Sequence, residues 1–275
     1  MSNLEKIFNS YKKDLVILEA IKSGPVSDIF LCKFKEKKAV IRIDKSWSTQ
    51  MKFNRLTEVK IINKLQPMKF TPKILHNNID QKILIWEYIE GDELVLNSEN
   101  KKNLLELLGQ TVKKLHITKL PKNTKNIFIN SIQFYKMNFI NHPSNKFLDK
   151  GFSIFDKLKD NTNEFVFSHN DLNKSNIIFN KKFYFLDWEY AGPNNAYFDL
   201  ASISTSLELN DDDNNHLWRG YSGNKSLLNK EKLQNWSIFS FFLDYMWRLT
   251  VADLSKITNK DLKIGELEKK LANFL

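Results

Sequence analysis

Short runs of β-branched and aromatic residues dominate the first ninety positions, and polar or turn-forming residues separate each run from the next. Runs of this kind predict strands, because such side chains pack well on a pleated and half-buried surface. The runs occupy residues 15–18, 29–34, 39–43, 73–76 and 83–89. The first part of the chain is therefore predicted to form a five-stranded antiparallel sheet.

One helical segment interrupts these strands, between the third and the fourth. Leu56, Val59 and Ile62 recur at intervals of three residues, which places them on one face of a helix. Pro67 follows and is expected to end the helix, since proline cannot continue the hydrogen-bond ladder.

After Gly91 the apolar spacing becomes helical, apart from a short β segment within residues 166–186. The pattern therefore predicts an α+β chain with two lobes. The N-terminal lobe, residues 1–90, is predicted to hold the five-stranded antiparallel sheet with one helix. The C-terminal lobe, residues 91–275, is predicted to be mainly helical.

Composition and charge narrow the functional classes. Hydrophobic residues make up 42% of the 275 residues, which is enough for a folded core. The net charge is +10, but the lysines are scattered singly or in pairs, so we expect a solvated basic surface and no nucleic-acid binding. Cys32 is the single cysteine, which fits a reducing compartment. The most apolar late segment, residues 236–249, is short and carries charges, so we expect no membrane span and a cytoplasmic protein.

The stretch that points to chemistry is His-Asn-Asp-Leu-Asn-Lys-Ser-Asn at residues 169–176, followed by an apolar strand that ends at Asp187. Phosphoryl transfer depends mainly on positioning and on neutralising dispersed negative charge. A carboxylate has to accept the hydrogen bond of the attacking hydroxyl, and hard oxygen ligands have to hold Mg²⁺ on the phosphates. Asp171 on a loop suits the first role. Asn176 and Asp187, at the two ends of a short hairpin, suit the second.

These residues also carry a family resemblance. The spacing His-x-Asp-x-x-x-x-Asn, followed by Leu-Asp-Trp-Glu-Tyr-Ala-Gly and Phe-Asp-Leu-Ala, is similar to the choline, ethanolamine and thiamine kinase branch of the aminoglycoside phosphotransferase superfamily. The resemblance implies a protein-kinase-like fold and a transferase that uses ATP and Mg²⁺ to phosphorylate a hydroxyl group. It implies Asp171 as catalytic base, Asn176 and Asp187 as magnesium ligands, His169 as a support of the catalytic loop, and Asp199 as a structural support under that loop.

The same resemblance implies roles for residues of the N-terminal lobe. Arg42 on the third strand is expected to reach the nucleotide phosphates and Glu58 to pair with it, unless Glu58 is an exposed residue of an amphipathic helix. Ser27 lies where a phosphate-covering loop is expected, although this loop has one glycine and Pro25 lacks a backbone donor. The choice between ATP and another nucleotide such as GTP therefore stays open. The hinge whose backbone meets the adenine is expected at Glu87, Tyr88 and Ile89.

The resemblance implies that the acceptor is a small cationic alcohol, most simply choline or ethanolamine. Aromatic faces and a nearby carboxylate stabilise such a cation. The resemblance suggests Glu189, Tyr190, Asp244 and Trp247 for this pocket, with Asp244 at a place where the family often has tryptophan. Two alternatives stay open: aromatic residues at helical spacing often belong to a core, and Glu189 has a possible role in ordering the metal-binding loop.

Other functions are kept as alternatives. One is thiamine kinase, and another is an aminoglycoside phosphotransferase whose acidic surface would be residues 211–213, although a solvated helix start explains the same residues. A catalytically silent nucleotide-binding protein of kinase shape would be expected to lack Asp171, Asn176 or Asp187, and all are present. A protein kinase would be expected to have a glycine-rich loop and a lysine on the third strand, and neither is evident in this sequence. The pattern makes no prediction of oligomeric state.

Overall fold

The computed structural model describes residues 10–11, 13–97, 99–119, 126–141, 143, 145–159 and 165–275. They form two compact units. The first unit contains the described residues up to Gly91 together with Tyr184–Glu189. The second contains the described residues of Asp92–Phe183 and of Tyr190–Leu275. The short return of the chain into the first unit brings Asp187 and Glu189 there.

The first unit is built on a five-stranded sheet whose neighbouring strands are all antiparallel, in the order β1-β2-β3-β5-β4. Its strands are β1 (Leu15–Ser23), β2 (Ser27–Phe34), β3 (Lys37–Asp44), β4 (Ile74–Asn78) and β5 (Ile83–Glu87). The predicted N-terminal antiparallel sheet is therefore confirmed.

One apolar cluster covers one face of this sheet, because side chains along each strand point alternately to its two faces. The buried cluster consists of Leu15, Cys32, Phe34, Ala39, Ile41, Ile43, Ile83 and Ile85. Cys32 is fully buried in this cluster.

The predicted helix of the first unit is α1 (Arg55–Leu65). The side chain of Asn54 caps it by accepting from the backbone N–H of Thr57 at 3.0 Å. Its end is followed by a short 3₁₀ turn that contains Pro67. A further 3₁₀ turn, Ser46–Met51, precedes the helix and had no signal in the apolar pattern.

The second unit is mainly helical, as predicted. Its helices are α2 (Lys101–His116), α3 (Ile127–Asn138), α4 (Lys146–Leu158), α5 (Ala196–Ser206), α6 (Asp211–Ser222), α7 (Lys230–Leu254) and α8 (Ile264–Leu271). Its strands are β6 (Asp92–Glu93), β7 (Phe165–Ser168), β8 (Ile177–Asn180), β9 (Lys182–Phe185) and β10 (Gly192–Asn195), although the last two residues of β9 are grouped with the first unit. They form a two-stranded sheet of β10 and β7 and a three-stranded sheet in the order β6-β8-β9.

Aromatic side chains fill the centre of the second unit. The rings of Phe128, Phe155, Phe198 and Phe239 lie with centroids between 4.8 and 6.4 Å apart, and Trp236 joins them. Spacings of this size are typical of offset and edge-to-face aromatic contacts. Much of the high phenylalanine content is therefore core.

The helices α2 and α6 pack with their backbones in contact. A Cβ atom on Gly220 would overlap the carbonyl oxygen of Glu106, and one on Gly109 would overlap that of Leu217. The helices therefore approach more closely than side chains at these positions would allow.

No helix within the described ranges is both long and apolar enough to cross a membrane.

Candidate active site

The loop that carries the predicted base follows a buried strand. β7 is antiparallel to β10, with Ser168 opposite Gly192, so the chain leaves the sheet at His169. His169 and Asn170 are buried, and both of their backbone N–H groups donate to the carboxylate of Asp199 at 2.8 Å. Asp199 on α5 thus holds the loop through its backbone, which is the kind of support predicted for it.

Asp199 has a further partner that the sequence did not suggest. Nε2 of His116 on α2 lies 3.0 Å from Asp199 Oδ2, and Nδ1 of the same ring lies 3.0 Å from the hydroxyl of Tyr221. Burial alone would raise the pKa of Asp199, but the hydrogen bond to His116 and the nearby His116 and His169 rings hold it below its ordinary value. The carboxylate is therefore kept as the anion that the two backbone donors need.

Asp171 projects from this fixed loop. Asn173 Nδ2 donates to one carboxylate oxygen of Asp171 at 3.0 Å, and Asn176 Nδ2 donates to the other at 2.8 Å. Asp171 is nevertheless only half-buried. The carboxylate is thus oriented by amide donors on a residue that is not fully buried, which suits a group that accepts a hydrogen bond from an incoming hydroxyl.

The side chain of Asn176 is oriented in a way that suits a metal ligand. Its amide nitrogen donates to both the carboxylate and the backbone oxygen of Asp171, at 2.8 Å each. No described residue donates to its amide oxygen, which leaves a hard oxygen ligand of the kind that Mg²⁺ prefers. The other predicted ligand, the Asp187 carboxylate, is 40% exposed. Across the described ranges no group of three or more His, Cys, Asp and Glu side chains is arranged to hold a metal.

Arg42 lies at the centre of an ion-pair network in the first unit. Its Nη1 and Nη2 atoms reach the two carboxylate oxygens of Glu58 at 2.8 and 2.7 Å, which is a bidentate pair. Arg42 Nη1 also lies 3.2 Å from Asp187 Oδ1, and its Nε lies 3.3 Å from Asp44 Oδ1. Arg42 and Glu58 are 6% and 1% exposed. The predicted pair is therefore present, and Glu58 is not the exposed residue of the alternative interpretation.

A second guanidinium, that of Arg55, whose side chain is 14% exposed, completes the network and was missed from the sequence. Arg55 binds Asp44 through two nitrogens at 2.7 and 3.1 Å. Its Nη1 also lies 3.0 Å from Glu58 Oε2 and 2.6 Å from Glu189 Oε2. The two arginines thereby connect α1 and the end of β3 to the 187–189 segment.

The network has more acidic than basic groups, and the pKa shifts reflect this. Burial would raise the pKa of Glu58, but Arg42 and Arg55 outweigh it and lower the pKa to about 2. Burial and the neighbouring Asp187 raise the pKa of Glu189 to about 8, against the opposing effect of Arg55. The surplus of carboxylates favours a site that accepts a further cation.

Backbone geometry is unusual at Asp187 and at Asn170. Their φ angles are +63° and +66°, in the left-handed region that asparagine and aspartate tolerate better than most residues. Each residue lies at the point where the chain turns out of a β segment. These turns direct the chain towards Asp171 in one case and Glu189 in the other.

The predicted adenine hinge is partly engaged within the sheet. The backbone N–H of Glu87 donates to Lys73 O at 2.9 Å, and that of Tyr88 donates to Lys38 O at 3.1 Å. Lys38 also places its ammonium 3.9 Å from the centre of the Tyr88 ring. Ile89 N–H, in contrast, is bonded to no residue that the structure describes. Of the three predicted hinge residues, Ile89 is thus the one whose N–H has no partner among the described residues.

The predicted phosphate-covering loop is a tight turn. Gly24 N–H donates to Ser27 O at 2.9 Å, and Ser23 Oγ donates to Asp28 Oδ1 at 2.6 Å. Ser27 begins β2 and is half-buried. Its nucleotide contact stays a prediction.

The residues predicted for the acceptor have varied surroundings. The hydroxyl of Tyr190 lies 3.5 Å from that of Tyr135, and both rings belong to the second unit. Asp244 forms a bidentate pair with Arg248 at 2.9 and 2.8 Å, so it already has a cationic partner. Trp247 on α7 is half-buried. The role of each in acceptor binding stays a prediction, as does that of Glu189, which binds Arg55.

The aspartates at 211–213 begin a helix, as the simpler interpretation held. Asn210 and Asp213 form a reciprocal capping box at the start of α6. Asp213 also binds Lys101 at 2.6 Å, and Asp211 binds Lys230 at 2.6 Å. These carboxylates are therefore engaged in capping and ion pairs.

Comparison with known proteins identifies the fold and the family of this chain. The sequence model of the family "choline/ethanolamine kinase" matches residues 18–261. A "Protein LicA homolog" of Mycoplasma capricolum subsp. capricolum is 30% identical over 213 residues, which cover 75% of this chain and 83% of that protein. The structure of choline kinase LicA from Streptococcus pneumoniae has a TM-score of 0.75 at 20% identity, with 99% of this chain and 100% of that chain covered. LicA in complex with AMP has a TM-score of 0.73 at 20% identity, with 98% and 97% covered.

The structural likeness confirms the predicted protein-kinase-like fold. The family match extends over most of the chain and confirms the predicted family. The chain therefore belongs to the choline/ethanolamine kinase family and is a small-molecule kinase.

Proposed function

We propose that this kinase transfers the γ-phosphoryl group of ATP to the hydroxyl of choline, with ethanolamine as the second candidate. The observation that carries the proposal is the half-buried Asp171, whose carboxylate is oriented by two amide donors on a loop whose backbone is fixed by Asp199. A base that has to meet a small hydroxyl needs this combination of a fixed backbone and an oriented carboxylate. Membership in the family supports the choice of an amino alcohol.

The proposed roles follow the chemistry of each side chain. Asp171 accepts the hydrogen bond of the acceptor hydroxyl and orients its oxygen for attack. Arg42, held by Glu58, contributes positive charge to the nucleotide phosphates. The amide oxygen of Asn176 and the carboxylate of Asp187 are the proposed ligands of Mg²⁺, which neutralises phosphate charge when bound. His169 supports the loop from its buried position.

ATP is the proposed donor because a relative of the same fold binds AMP. The N-terminal lobe, residues 1–90, is proposed to bind the nucleotide, chiefly through Arg42, the turn at Ser27 and the backbone at Ile89. Glu87 and Tyr88 donate their N–H groups within the first unit, and the Glu87 carboxylate accepts from Lys73 N–H at 2.9 Å, so Ile89 is the proposed backbone donor of the hinge. Residues 91–275 are proposed to supply the base and the acceptor pocket.

Tyr190 and Trp247 are the proposed aromatic contacts of the acceptor cation, because both keep part of their side chain accessible. The pairing of Asp244 with Arg248 makes that acid less available to a cation than its sequence position suggested. The aspartates at 211–213 are likewise engaged in capping and ion pairs, so nothing beyond fold favours an aminoglycoside.

A coupled assay of ATP consumption tests the proposal. The purified chain is incubated with ATP and Mg²⁺ and, in separate reactions, with choline, ethanolamine, thiamine and an aminoglycoside. We expect the highest kcat/KM with choline or ethanolamine and loss of turnover in Asp171→Asn. Phosphorylation of thiamine or the aminoglycoside with no turnover of either amino alcohol would contradict the proposed substrate class.

A further inference from the structure

The side chain of Asn170 joins separate segments of the second unit. Its Nδ2 donates to the backbone oxygen of Tyr190 at 2.9 Å, and its Oδ1 accepts from Asn194 Nδ2 at 2.8 Å. Its backbone N–H donates to Asp199. Asn170 and Asn194 are 4% and 2% exposed, so water does not compete effectively for these bonds.

The orientation of this amide is determined by its partners. A carbonyl oxygen accepts at one end and an amide nitrogen donates at the other, so a flip of Asn170 would oppose like groups at both ends. The backbone of Tyr190 is therefore fastened to the residue that immediately precedes Asp171. Asn194 lies on β10, which pairs with β7 so that Asn194 is opposite Val166, and this pairing fixes its position.

Asn170 has two separate roles: it adopts a left-handed backbone conformation, and its side chain forms hydrogen bonds. Its φ angle of +66° admits asparagine or glycine with little strain. Glycine would satisfy the backbone alone, whereas asparagine also supplies the two side-chain hydrogen bonds. A glycine at this position would therefore remove the hydrogen bonds to Tyr190 and Asn194 without changing the backbone conformation of the turn.

We propose that Asn170 is a positioning residue for the acceptor: it sets the distance between Tyr190 and the carboxylate of Asp171. The inference rests on the proposed function, in which Tyr190 contacts the acceptor cation. It extends that function because Asn170 touches neither substrate and acts through the backbone of Tyr190. Release of that carbonyl displaces the aromatic contact while Asp199 still holds the base.

The substitution Asn170→Gly tests this directly. We expect the KM for choline, or for whichever amino alcohol the parent enzyme prefers, to rise about tenfold, the factor that corresponds to one net hydrogen bond. The KM for ATP should change by less than about twofold, because no nucleotide group depends on this bond. Asn224→Gly is the matched control, since Asn224 has φ +62° and is exposed. It should alter neither KM.

Asn194→Ala provides a second variant if Asn170→Gly does not fold. It leaves the bond from Asn170 to Tyr190 but removes the donor that orients the amide, so we expect a smaller rise in the acceptor KM with the ATP KM unchanged. A merely structural role would lower the melting temperature and alter both KM values together, and that result would overturn the inference. An unchanged acceptor KM in an active Asn170→Gly enzyme would overturn it as well. If the parent enzyme phosphorylates no amino alcohol, the proposed function fails and the inference fails with it.

Discussion

Replacement of Glu58 by glutamine examines the ion-pair network of the first unit. Glu58 is 1% exposed and accepts from Arg42 at 2.7 and 2.8 Å and from Arg55 at 3.0 Å. Glutamine has nearly the same shape, so packing changes little. Its amide group, however, brings two hydrogens against the guanidinium groups and removes one buried negative charge. We expect Glu58→Gln to destabilise the fold and to weaken ATP binding.

The magnitude follows from the pKa of Glu58. The two arginines lower it from 4.5 to about 2. At about 1.4 kcal/mol per pKa unit, this corresponds to roughly 3 kcal/mol of folding stability at neutral pH. Loss of one partner of a buried pair costs about 3–5 kcal/mol in other proteins, which agrees. Because the folded pKa lies below the unfolded one, the contribution is present above about pH 4.5 and is lost as the pH falls towards about 2.

Urea denaturation of the parent and of Glu58→Gln at several pH values measures this contribution. Asp156→Asn is the control, since Asp156 pairs with Lys159 at 2.6 Å on the surface, where both side chains are nearly half exposed. The control should cost less than about 1 kcal/mol. The reasoning is refuted if Glu58→Gln is no more destabilising than the control at neutral pH, or if its effect does not shrink as the solution becomes acidic.

Other substitutions test separate parts of the structure. Asp199→Asn should lower both the melting temperature and kcat, because an amide cannot accept from two backbone N–H groups and His116 as a carboxylate does; a scan and steady-state kinetics measure both. Gly220→Ala should cost about 1–3 kcal/mol, since its Cβ would overlap the Glu106 backbone, whereas Gly265→Ala, with open space around it, should cost nothing in the same denaturation assay. Trp247→Ala should raise the KM for the acceptor by at least about tenfold with the ATP KM nearly unchanged, and equal effects on both would indicate a packing role.

Much of the fold could be predicted because its elements are long and periodic. The strands of the first sheet and α1 follow directly from apolar runs and from a three-residue interval. β6 and β10 were missed for a physical reason. The first has two residues, and the second is Gly-Pro-Asn-Asn, whose composition is typical of a turn. Both strands exist because tertiary pairing with β8 and β7 satisfies their backbones.

The predicted and the missed residues of the site differ in the range of their interactions. Asp171, Asn176 and Asp187 belong to one local motif, so their spacing was visible. Arg55 binds Glu189, which lies 134 positions later in the chain. Nothing in the sequence around either residue indicates that the two are partners.

His116 likewise meets Asp199 and Tyr221 only through the packing of α2, α5 and α6. For Arg55, the sequence did offer one signal: it lies three residues before Glu58, a spacing that suggests an ion pair on one helix. Contacts of this long-range kind depend on how helices pack, which the apolar pattern does not determine.

The most direct test of the central claim is a rapid-quench measurement of phosphoryl transfer to choline, with saturating ATP and Mg²⁺, for the parent enzyme and for Asp171→Asn. Asparagine at this position keeps the size of the side chain and removes the carboxylate that accepts the hydroxyl hydrogen. We predict that the rate of phosphocholine formation falls by about 10²–10⁴-fold while the dissociation constant for ATP stays within about threefold. Transfer at the parent rate in Asp171→Asn would contradict the assignment of Asp171 as the base.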